Sequence, residues 1–354
     1  MRSGALGASR TRLTHVDPQD VVSAGHSVLL CNAIAVLIPL MSAWFPVARS
    51  SMRITLLLAC VTALAVPLHA QTIDDGVLVP RHELLAGNVF GRDSWNEYWE
   101  GALKRVNGNI GTVTTRTNAW VANYGVTDRL NVIASVPYVW TEPNQGVLHG
   151  IQGFQDVTLA AKFQFLEHAG GPGTLRAFAV MSAGMPMTNY NPEFPPLSIG
   201  TGSTQLSWRG TANFHARPGW FLNGSFAYNW RSDVQLDRPY FFTDGEFVMS
   251  DQVDMPNAVD FAGTAGFMDE RLMIGGFLSQ LRTLGGGDIR RQDMPFISNR
   301  MNATRMGVMT MVAMPGASSL KVQLSVAHTL DGRNVGQATS FTAGLLYRFN
   351  RSTR

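Results

Sequence analysis

Few side chains in this 354-residue chain could carry hydrolytic chemistry, and their spacing argues against it. Beyond residue 70 the histidines are His82, His149, His168, His215 and His328, scattered over loops and separate predicted strands. His328 follows Ser325 and His215 follows Ser207, but a serine nucleophile needs a base in hydrogen-bond reach and a third group to orient that base. Neither pair has such an orienting group, so no nucleophile–base unit assembles. Metal chemistry fares no better. Asp233, Asp237, Asp244, Glu246, Asp251 and Asp254 crowd the segment 232–256, with Arg238 as its one strong base. Calcium loops place their oxygens at fixed short intervals, and these do not. The segment reads as a solvated acidic loop. "GTGST" at 200–204 has the glycines of a phosphate loop without its lysine or a following helix. Both glycosylation-like triplets, "NGS" at 223–225 and "NAT" at 302–304, fall inside predicted strands. No catalytic residue, metal or cofactor is therefore expected, and the chain does not read as an enzyme.

The informative polar residues are Asp156, Lys162, Arg176, Arg209, Arg231, Lys321 and Arg348. Wherever alternation is clear, they fall on the polar face of a segment that alternates apolar and polar residues, the period of a β-strand with one greasy and one wet side. "DVTLAAKFQF" (156–165) sets Val157, Leu159, Ala161, Phe163 and Phe165 against Asp156, Thr158, Lys162 and Gln164. "QLSWRGTANFH" (205–215), "LKVQLSVAHT" (320–329) and "FTAGLLYRF" (341–349) do the same. In a membrane barrel a charge facing lipid at mid-depth costs ~2–4 kcal/mol, so these seven side chains are expected to point into the lumen. There they either brace the wall as ion pairs or form a polar ring that sets selectivity.

Composition supports that setting. Only 15% of residues are charged and 45% are hydrophobic, against ~25% charged in ordinary soluble domains. Beyond residue 70 nothing approaches the ~18 uninterrupted apolar residues of a membrane helix. The front of the chain is read separately. Met52-Arg53, the apolar run "ITLLLACVTALAVPL" and the small residue Ala70 make a complete secretory signal over 52–70. Residues 1–51 are then upstream extension, 71–354 is the barrel, and Gln71 is the expected mature N-terminus. The leader takes both cysteines, Cys31 and Cys60, together with five of the 28 basic and two of the 25 acidic residues. The remainder is formally neutral and has no thiol chemistry. The compositional case for nucleic-acid binding goes with the leader.

Twelve strands are predicted, near 84–92, 110–125, 130–141, 154–166, 174–185, 204–216, 220–231, 257–268, 271–281, 302–314, 319–330 and 338–349. Short turns at 126–129, 167–173, 217–219, 269–270 and 315–319 alternate with long connections at 93–109, 142–153, 186–203, 232–256, 282–301 and 331–337. Segregating loop length by end is the habit of outer-membrane barrels, with short periplasmic turns and long external loops. A soluble sandwich has no reason to do so. The first strand, which alternates poorly, and the three lying in 257–314, with "MGVMTMVAM" (306–314) apolar on both faces, fit this scheme least well. Ten or fourteen strands are the alternatives, an even number being favoured. No plug domain is expected.

"YGVTDRLNVIASVPYV" (124–139), "GFQDVTLAAKFQFL" (153–166) and "AGMP" (183–186) resemble, in order and spacing, the outer-membrane proteins of the MetA-pathway phenol-degradation family. The resemblance is tight across 124–187 and looser to Phe349. It implies a barrel in the outer membrane of a Gram-negative bacterium, transporting hydrophobic or aromatic small molecules. Its partners would be outer-membrane lipid, the solute, and the barrel-assembly machinery acting through the C-terminal strand. "NRSTR" after Phe349 departs from the usual terminal aromatic. The rival expectation is a structural or surface-interaction barrel with a filled lumen, and a lectin-like sandwich is the third.

Overall fold

The computed structural model describes residues 72–290 and 295–350, so the expected extension, leader and cleavage point lie outside the described residues. Twelve long antiparallel strands dominate it. These are β1 (Leu84–Trp95), β2 (Val113–Gly125), β3 (Leu130–Pro143), β4 (Asp156–Gly170), β5 (Gly173–Pro186) and β6 (Gln205–Ala216). They continue as β7 (Trp220–Arg231), β8 (Ala258–Met268), β9 (Leu272–Thr283), β10 (Asn302–Met314), β11 (Ala317–Arg333) and β12 (Thr339–Phe349). Each pairs with its neighbours in sequence. β1 pairs with both β2 and β12, with Leu84 opposite Phe349 on one side and Tyr124 on the other. The sheet is thereby closed, and closure removes the unpaired edges an open sheet would expose.

Loop lengths segregate as expected, with two adjustments. β4 runs through Glu167 and His168 to Gly170, so the turn expected at 167–173 shrinks to Gly171-Pro172. A bulge between Gln164 and Leu166 puts Glu167 opposite Arg176, and their ion pair at 3.2 Å carries the ladder further than apolar alternation alone would. At the other end β11 extends to Arg333, leaving only 334–338 where a longer loop is expected. Gly316, at φ 79°, supplies the left-handed residue of the Pro315-Gly316 turn.

The outer surface is apolar and carries aromatic rings near both ends. Trp220 packs edge-on against Phe267, and Tyr347 against Phe349, toward the short-turn end. Trp208 with Tyr228, and Tyr138 with Trp140, lie toward the long-loop end. At the long-loop end the connections build a small core of their own. Val234, Leu236, Phe241, Val253, Met255, Phe296 and Ile297 are buried together, with Phe241 stacked on Phe296 at 5.3 Å.

Candidate functional site: a lumen threaded by the N-terminal segment

No separate plug domain fills the barrel among the described residues, but residues 72–80 run inside it. Pro80 and Arg81 leave the short-turn end beside Gly125, where His82 N–H donates to the Gly125 carbonyl at 2.7 Å. From there the chain turns inward. Val79 is fully buried among Leu85, Met273, Met311 and Leu346. With its amide turned to suit its neighbours, buried Asn131 brackets the Val79 peptide, accepting from its N–H at 2.6 Å and donating to its carbonyl at 3.1 Å. Gly76 passes so close to Asn213 that a β-carbon there would overlap that side chain. Asn223 Nδ2 donates to the Asp74 carbonyl at 2.7 Å. A short segment pinned this way, rather than a separate domain, occupies the barrel.

Lys162 is the principal anchor. Its side chain is fully buried, with Nζ 2.6 Å from Asp75 Oδ1, donating to the Thr72 carbonyl at 2.9 Å, and 5.2 Å from the Phe178 ring centroid. Such burial is tolerable only because the ammonium is paired and hydrogen-bonded. Buried Arg348 lies 3.7 Å from Glu83, just before β1, and buried Lys321 sits in the same electrostatic neighbourhood. Three of the seven predicted wall charges therefore gather around the N-terminal segment and its exit.

The other four lie elsewhere on the inner face. Arg209 pairs with Asp260 on β8 at 2.7 Å and donates to Ser225 at 3.0 Å. Asp156, at the start of β4, accepts from the Tyr190 hydroxyl at 2.5 Å, and Arg176 braces the short-turn rim against Glu167. Arg231 ends β7 at the long-loop end, half-buried, its backbone N–H donating to the Asn257 side-chain oxygen at 2.9 Å. Burial, followed by the Asp156 contact, pushes the Tyr190 phenol well above its usual range, so it stays a donor at neutral pH. Nearby in the loops, hydrogen bonds from Arg333 hold Asp288 below the usual carboxylate range. That interaction is present at neutral pH and is lost only as the pH falls through the depressed value.

The hydrolase candidates separate in space. Ser325 and His328 face opposite sides of β11, as an odd spacing on a strand requires. Ser207 and His215 share the inner face, but eight strand positions put them about 27 Å apart. No group of three or more metal-ligating side chains occurs among the described residues.

Around the segment the lumen holds three cavities in series. The long-loop vestibule, about 550 Å³, is lined by Asp74, Asp93, Trp95, Asp260, Ala262 and Arg305, among others. A middle cavity of about 270 Å³ shares Asp74, Ala262 and Ser279 with it. One wall of that middle cavity is Phe221, Met268, Met273, Phe277, Met309 and Met311. The short-turn mouth, about 720 Å³ and including Arg176, His215 and Arg217, shares Val77 and Met268 with the middle cavity. Asp74 and Val77, both on the N-terminal segment, thus each line two of the cavities, Asp74 at the vestibule junction and Val77 at the mouth junction. "TIDDGVLVP" shows no strand period, and its one sequence signal is a pair of carboxylates just ahead of the first strand.

No protein-family model and no curated protein matches the chain. Solved structures do. The COG4313 outer membrane channel from Pseudomonas putida F1 aligns over 80% of this chain and 100% of its own, with a TM-score of 0.62 and 14% identity. The likeness is one of fold. The NanC porin (TM-score 0.40, 10% identity, 73% of this chain and 98% of that one) aligns far more loosely. So does the CymD monoaromatic hydrocarbon channel, at 0.38 and 9%, over 77% and 89%.

Proposed function

We propose that this chain is a passive conduit in the outer membrane of a Gram-negative bacterium for small apolar, in particular aromatic, molecules. The carrying observation is the string of three cavities joined at shared residues, with methionine and phenylalanine along one wall of the middle one. Methionine is unbranched and polarizable, and it adapts to ligands of varied outline. The apolar outer surface between two groups of aromatic rings fits a bilayer with its interfaces. The resemblance of 124–187 to the MetA-pathway phenol-degradation family supports the same reading. Assembly would use the aromatic pattern of β12 as its signal. Long loops would face outside, so a cysteine label should reach Asp244→Cys on intact cells and miss Pro218→Cys; the reverse pattern would invert the barrel.

The filled-barrel alternative draws on a specific observation, the apolar cluster that Val79 forms inside the lumen. Planar-bilayer recording separates the two. Arg209→Glu places a carboxylate opposite Asp260, and in a conducting lumen it should move the reversal potential toward cations while the barrel stays folded. A wild type without conductance, combined with loss of the heat-modifiable band in the variant, favours the filled barrel. In that case the substitution leaves a buried carboxylate unpaired, at about 3–5 kcal/mol.

A further inference from the structure

The middle cavity is amphipathic. Its methionine and phenylalanine wall is flanked by Asn213 and Asn223 on one side and by Gln323 and Ser325, the cross-strand partners of Met311 and Met309, on the other. Asp74 adds a carboxylate from the segment, and among the described residues no Lys, Arg or His lines it. Asn223 is 5% exposed, and its Oδ1 has no hydrogen-bond partner among the described residues, while its Nδ2 is committed to the Asp74 carbonyl. A buried, unsatisfied amide oxygen is costly and uncommon in native proteins. The Asp74 carboxylate, which belongs to a residue lining the same cavity, is held by the Thr72 hydroxyl at 2.6 Å and can accept further bonds. The polar groups therefore offer acceptors to an incoming group, and the methionine and phenylalanine wall between them offers apolar contact.

We propose that the middle cavity binds a small amphiphile whose polar end donates hydrogen bonds, a hydroxyl or an ammonium, to Asn223 Oδ1 and Asp74, with its apolar body against Met268, Met273 and Phe277. Anionic or acceptor-only heads are disfavoured, because they meet lone pairs and a carboxylate. This rests on the reading of the barrel as a conduit for apolar solutes, and it narrows that class by the head group.

The test uses the full mature barrel in lipid nanodiscs, with calorimetric titration corrected against empty discs. The probes share one skeleton: 2-phenylethanol, 2-phenylethylamine, phenylacetate and ethylbenzene. The alcohol, the amine or both should bind at least tenfold more tightly than phenylacetate and ethylbenzene. Asn223→Leu should remove most of that advantage, and Asp74→Asn should weaken the amine while sparing the alcohol. Asp74 lies outside the barrel wall, so its variant remains informative if Asn223→Leu fails to assemble. Phenylacetate or ethylbenzene binding as tightly as the donors, no binding by any probe, or full affinity in a folded Asn223→Leu barrel would overturn the proposal. Binding needs no flux, so failure here is distinct from failure of the conduit itself.

Discussion

Deleting residues 72–78 should raise single-channel conductance several-fold while the barrel remains folded. The segment lies within the lumen between the vestibule and the short-turn mouth, and its contacts include Lys162 with Asp75 and the Thr72 carbonyl, Asn223 with the Asp74 carbonyl, and the close pass of Gly76 against Asn213. The twelve-strand ladder does not pass through it. Removing Asp75 from a dry lumen would strand the Lys162 ammonium at a cost of about 3–5 kcal/mol. Water entering the emptied lumen relieves that cost, so the barrel survives. Lys162, Lys321 and Arg348 would then face water, and the enlarged pore should prefer anions. Asp75→Ala should give a milder version, opening intermittently as the segment detaches. Unchanged conductance in the deletion would mean that the segment does not limit the path.

The second large effect is expected at Val77, which lines both the middle cavity and the short-turn mouth. Val77→Trp should close that junction and abolish flux, and Val77→Ala should increase it. The substitution lies on the segment rather than the wall, so heat-modifiability should be the same in both variants. Equal flux in both would place the route elsewhere in the lumen.

Much of the wall is legible in the sequence because a barrel strand must satisfy two solvents at once. The segment predicted at 220–231 coincides with β7 and that at 302–314 with β10. Two of the strands that fit the alternation least well, β1 and β10, have a shared cause. On β10, Met306, Val308 and Val312 face outward, while Met309 pairs in register with Gly275 and Met311 with Met273. Its inner face is apolar because it lines the methionine wall. On β1, Leu85 and Val89 face inward against the Val79 cluster, inverting the usual pattern. Both strands thus recorded an apolar feature inside the lumen, which period-two reading treats as noise. The threaded segment was not legible, because its placement depends on tertiary contacts such as Lys162 with Asp75, 87 positions apart. The partners of the wall charges have no sequence signal: Arg209 pairs with Asp260, 51 positions away on another strand.

The central claim, that apolar solute crosses this lumen past the N-terminal segment, is tested most directly by solute uptake into intact cells. The measurement is the initial rate of radiolabelled toluene entry into lipopolysaccharide-coated cells expressing wild-type protein, Val77→Trp or no barrel, at matched levels of folded protein. Wild type should exceed the empty control several-fold, and Val77→Trp should fall back to that control. Equal rates in all three strains, with the barrels shown to be assembled, would contradict the account.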